Sequence, residues 1–318
     1  MTRIHVLACV LCMFCIDVSA QEPVAKTLDD ARTLQRQGRY EQVIDTLAPL
    51  LNSFVASALD RGKALMLIAL AYQEQGRFSE SHRALDQSLS LLRGYPQYAR
   101  DYADGLTSLA VLYRDIGDMD AMKQTAIKAL QLYGQANDHE GLADIYVVLA
   151  QYSVDRRKAA DARRYAALAA GELAQCCNPA GRNRIAMMDL QAGIALLEGH
   201  AEAAVVDYRQ SLDLRIQFNG SEHPETGWGH MLLGKADLQA GDVRSALAEM
   251  KQGIAILAQT NGTESVVYLG WEIAYADALA ADGQRSTARH LKAEAMESLT
   301  KLYQERCVSC QINAIALR

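Results

Sequence analysis

Proline and aromatic residues are scarce in this chain: 5 Pro in 318 residues, 2 Trp, 4 Phe, and 6% aromatics in all. Basic residues are outnumbered, with 32 Lys plus Arg against 38 Asp plus Glu and a formal net charge of −6. The charge balance argues against a nucleic-acid binder driven by bulk electrostatics. Few aromatics and few prolines argue against a sandwich or barrel. Beyond the first twenty residues the longest apolar run is Ala64 to Tyr72, too short to cross a bilayer. What the sequence has in excess is alanine, 51 residues. With 50% apolar residues and 22% charged, disorder is excluded and packed helices are favoured.

Residues 1–20 read as a signal peptide. Arg3 precedes an apolar stretch from Ile4 to Ile16, and Val18-Ser19-Ala20 places small residues for cleavage between Ala20 and Gln21. The mature chain is therefore expected to be exported, to a bacterial periplasm or the medium, without an integral membrane span. Cys9, Cys12 and Cys15 leave with the signal, and Cys176, Cys177, Cys307 and Cys310 remain. Export permits disulfides. Cys307-Val308-Ser309-Cys310 has no following His, so haem attachment is excluded. Its expected role is a local Cys307–Cys310 clip in a C-terminal cap, residues 305–318. About three repeats separate Cys176 from Cys307, which disfavours a bridge between them unless the chain returns on itself.

Between these ends the sequence repeats. A glycine separates two apolar-periodic stretches at Gly38, Gly76, Gly117, Gly199, Gly241 and Gly283, with Arg157 in the remaining slot; the steps are 38, 41, 40, 42, 42 and 42 residues. Seven residues before each landmark stand Ala31, Ala69, Ala110, Ala150, Ala192, Gly234 and Ala276. Random filling of those slots has a likelihood of about 3 × 10⁻⁵ on this composition. Twelve residues after each landmark a second column is small in six of seven repeats: Ser88, Ala129, Ala169, Ser211, Gly253 and Ala295, with Leu50 the exception. Each unit thus reads as two antiparallel helices that approach closely at small residues and turn at glycine. One hairpin cannot bury its own apolar face, so hairpins must stack.

The pattern resembles the tetratricopeptide repeat, and its 42-residue period resembles the kinesin-light-chain type. Tyr208 to Leu214, His223-Pro224-Glu225-Thr226, Leu233-Gly234 and Gly241-Asp242 carry the likeness best. It covers about residues 24–304, within an array assigned to 21–304. The chain departs from the family pattern at Arg157, in its few early aromatics and in the missing Pro at the repeat end. The resemblance implies an all-α, right-handed superhelical solenoid of about seven antiparallel hairpins. It also implies a non-catalytic scaffold that binds protein or peptide along its concave face, without a cofactor.

In that family ligand-facing side chains fall 13, 10, 6, 3 and 2 residues before the turn. Carried onto this chain, the groove comprises Arg114, Asp144, Gln151, Asp155, Asp189, Leu196, Trp228, Met231 and Lys235 among others. Repeats three to five then offer carboxylates and repeats five and six an apolar patch, which fits a basic or amphipathic peptide. No nucleophile elbow, His-Glu-x-x-His pair or phosphate loop is present. His223 and His230 lie near Glu222 and Glu225 as a possible metal set, but His223 before Pro224 is better read as a helix start. Two other classes remain compatible with the sequence. One is a helical-toroid enzyme such as a carbohydrate-active hydrolase, which needs two carboxylates at one sugar. The other is a periplasmic sensor or adaptor subunit of a signalling system.

Overall fold

The computed structural model describes residues 23–176 and 181–306. Those residues form fourteen α-helices and no strand. In chain order they are α1 (23–36), α2 (Tyr40–Leu51), α3 (Ala58–Glu74), α4 (Phe78–Leu92), α5 (Ala99–Asp115), α6 (Met119–Ala136) and α7 (His139–Asp155). Then follow α8 (Ala159–Cys176), α9 (Gly181–Leu197), α10 (Ala201–Asn219), α11 (Pro224–Ala240), α12 (Val243–Asn261), α13 (Val266–Ala281) and α14 (Arg285–Arg306). One 3₁₀ turn, Pro96–Tyr98, precedes α5. Among the described residues no helix is long and apolar enough to cross a membrane. The fold is an all-α solenoid of the tetratricopeptide-repeat kind.

Every turn landmark sits between the two helices of a hairpin, and each is left-handed: φ is +69° to +88° at the six glycines and +55° at Arg157. The same hydrogen bond closes each one, from the N–H after the landmark back to a carbonyl five residues earlier, as in Arg77 to Tyr72 at 2.8 Å and Lys158 to Ser153 at 2.8 Å. The carbonyls that a helix end leaves free are satisfied in this way. Both small-residue columns are buried throughout. A Cβ on Gly253 would lie 2.7 Å from the Gly227 carbonyl oxygen, and Ser88 donates to the Gly62 carbonyl at 2.8 Å. Small side chains stand there because the two backbones of a hairpin almost touch.

Longer-range contacts were not expected from the repeat pattern. The first turn abuts the start of α11, where a Cβ on Gly38 would be 2.8 Å from Pro224 Cδ. The second abuts the start of α13: Gly76 faces Val266, and Asn261 Nδ2 donates to the Glu74 carbonyl at 2.9 Å. At the third, Ile116 shares a core with Leu299 and Tyr303 near the end of α14. Each contact advances by the same step, so the chain completes a superhelical turn in about five hairpins and then stacks on itself. One apolar cluster accordingly joins Leu28, Leu47, Ile68 and Leu112 to Ile273 and Leu299.

Candidate functional site

Where hairpins stack, the first helices α3, α5, α7 and α9 pack side by side. Near the turns their last residues interact across repeats. Gln73 donates to Asp115 at 2.5 Å, Arg114 contacts Asp115 at 3.2 Å, and Arg114 also donates to Gln151. Burial raises the Asp155 carboxyl, opposed by the Arg114 charge. Burial lowers the Lys235 ammonium, opposed by Asp155 and Asp277. Glu74 is pushed to about 8 by burial first, then by repulsion from Glu225 and Asp115; its hydrogen bond with Tyr40 acts the other way. Glu74 brings α3, α5 and α11 together electrostatically because the superhelix has turned back on itself.

Toward the other end of the helices the interior is acidic. Tyr133 donates to Asp104 at 2.6 Å, and Arg100 is held by Asp138 at 3.1 Å and Glu140 at 2.8 Å. Asp144 is raised to about 6, mainly by burial, with Glu140 adding repulsion and Arg182 opposing. It lines a cleft of 220 Å³ whose other walls include Thr107, Val147, Leu173, Arg182 and Asn183. Two repeats on, Trp228 is 39% exposed and meets Trp271 edge-on at 5.0 Å.

The interior register thus brings together Arg114, Gln151, Asp155 and Lys235 as one polar network, and leaves Asp144 and Trp228 accessible. Three further residues of the expected groove pack against neighbouring side chains. Met231 is wholly buried in a core with Met250, Leu257 and Ala278. The same register position is buried at Leu28 and Ile273. Asp189 faces α10, where it takes Arg215 through two oxygens, at 2.5 and 3.2 Å, and Ser211 at 2.5 Å. Leu196 is partly buried against the cluster of Ala192, Tyr208 and Leu233.

His223 caps α11, its Nδ1 accepting the Glu225 N–H at 3.1 Å, with Pro224 in the first turn. His230 instead pairs with Glu249 at 2.7 Å. The two histidines therefore do not converge, and no group of metal-ligating side chains occurs among the described residues. Cys176 is disulfide-bonded. Every other cysteine, including Cys307 and Cys310, and the Ala20–Gln21 junction lie outside the described residues. The sequence reading missed Glu74, although its own register reaches it two residues before Gly76; it also missed Arg182, Asn183 and Trp271, which no turn-based register reaches.

A solenoid of stacked helical hairpins is the class these features define. Among solved structures, a Rap protein complexed with competence and sporulation factor matches over 90% of this chain and 96% of its own, with 14% identity and a TM-score of 0.59. The apo form of RapI matches over 89% and 99%, with 12% identity and a TM-score of 0.58. A chain of the Cut9–Hcn1 hetero-tetramer matches over 83% and 48%, with 14% identity and a TM-score of 0.56. At these identities the likeness is one of fold. No protein-family model and no curated protein matches the sequence.

Proposed function

We propose that this chain is an exported, non-catalytic scaffold that holds a peptide segment of a partner protein along its interior face. The observation that carries the reading is a pair of carboxylates, Asp104 and Asp144, on the consecutive first helices α5 and α7, and a half-exposed Trp228 further along. Such a surface complements a segment that is basic at one end and apolar at the other. A Rap protein of the same fold has been solved with a bound factor, which agrees with this use of the architecture.

The test is crosslinking in the chain's own compartment to identify the partner, followed by binding with two variants. Trp228→Ala is expected to weaken binding by about 2 kcal/mol if the indole is an anchor. Asp144→Asn is expected to weaken it chiefly at low salt, since an accessible charge is screened as salt rises. Binding that survives both, with unchanged helicity and melting, rejects the reading. Export is tested separately by intact mass, which should show a chain beginning at Gln21, and by non-reducing peptide mapping, which should join Cys307 to Cys310.

A further inference from the structure

The cleft beside Asp144 has a property that the peptide reading does not use. It is walled by α5, α7, α8 and the first turn of α9. Its 220 Å³ lies below the range of about 300–1,000 Å³ that accommodates drug-sized ligands, so its occupant is small. Apolar side chains, Val147 and Leu173 among them, form most of the wall. At its rim stand one carboxylate, Asp144, and one guanidinium, Arg182, of opposite sign. The Arg182 charge favours ionised Asp144, yet no ion pair or hydrogen bond between them is found among the described residues. Nearby, Arg100 is paired with Asp138 and Glu140, and Asp104 accepts a hydrogen bond from the Tyr133 hydroxyl. Asn183, beside Arg182, adds an amide at the same rim.

Two opposite charges that line one small, mostly apolar cleft without pairing ask for a ligand that carries both charges. A lysine side chain satisfies Asp144 and leaves Arg182 facing a cation. A carboxylate alone does the reverse. We propose that the cleft binds a free α-amino acid with an aliphatic side chain. Its ammonium sits at Asp144, its carboxylate at Arg182 and Asn183, and its side chain against Val147 and Leu173. This site shares Asp144 with the peptide reading; the two are told apart because leucine binding is measured by itself and Arg182 belongs to the cleft alone.

The experiment is calorimetry and thermal shift on the purified chain at neutral pH with three probes: L-leucine, 3-methylbutylamine and 4-methylpentanoate. Leucine is expected to bind saturably and to raise the melting temperature, with each half-molecule at least tenfold weaker. Asp144→Asn and Arg182→Gln should each weaken leucine at least tenfold while leaving the helical signal intact. Val147→Trp, which fills the cleft, should abolish binding without removing either charge. The proposal is overturned by an amine that binds as well as leucine, by no saturable leucine binding at millimolar concentration, or by charge variants that bind as the parent does. Retained leucine binding in a chain that captures no peptide would reject the peptide reading alone.

Discussion

Arg157 occupies a left-handed turn position that glycine fills in the other six hairpins, at φ +55°. An L-residue there costs about 1–2 kcal/mol, partly offset because arginine loses less backbone freedom on folding than glycine. Arg157→Gly should therefore stabilise the chain by about 1 kcal/mol or less, read from a urea midpoint. Asp189 is the opposite case. Its partner Arg215 is almost wholly buried, so Asp189→Ala would strand a cation and should cost about 3 kcal/mol in the same measurement. Glu74 sets a pH dependence. Its folded-state value, about 8, lies above the ordinary 4.5, so the folded chain holds a proton that the unfolded chain releases. Its contribution to stability falls as pH rises through that window. The groups around it are Tyr40 on α2, Asp115 on α5 and Glu225 on α11. Glu74→Gln should flatten the melting profile between pH 5 and 9 and raise the melting temperature at the alkaline end.

Within a hairpin the glycines divide by what surrounds them. A Cβ at Gly253 meets backbone at 2.7 Å, whereas one at Gly134 in α6 meets nothing within 4 Å. Gly253→Ala is expected to destabilise by about 1–3 kcal/mol, and Gly134→Ala to stabilise by about 0.5–1 kcal/mol, by thermal melts of the two variants. This division explains what the sequence disclosed. The turns and both small-residue columns were legible because each reports contact within a hairpin, repeated seven times. The cap at His223-Pro224 was legible because its chemistry is local. Asp189 and Met231 share a register position and pack on the second helix of their own hairpins, a contact that spacing from the turn does not reveal.

The curvature of the whole molecule had no such signal. It depends on small rotations between hairpins, summed over five of them, and its outcome joins residues as remote as Glu74 and Asn261. No periodicity marks those contacts, since each pair occurs once. Curvature also decides the character of the interior. Arg114, Gln151, Asp155 and Lys235 were expected to face a ligand; the tight winding lets them face one another instead, which leaves the acidic end and Trp228 as the accessible parts.

An open solenoid behaves as a one-dimensional chain of neighbours, in which a terminal repeat can fray and leave distant repeats unaffected. Here the ends are interlocked through Gly38 with Pro224, Glu74 with Asn261, and Ile116 in the same core as Tyr303. Loss of the final hairpin would uncover Ile68 and Leu112 at the opposite terminus. Removing residues 262–318 should therefore lower amide exchange protection in α3 and α5 as well as in α12, whereas an open array would lose it in α12 alone. The same closure makes the last contacts to form also the most distant in sequence. Folding should consequently show one cooperative transition limited by docking of the two ends, rather than a wave that spreads from any repeat.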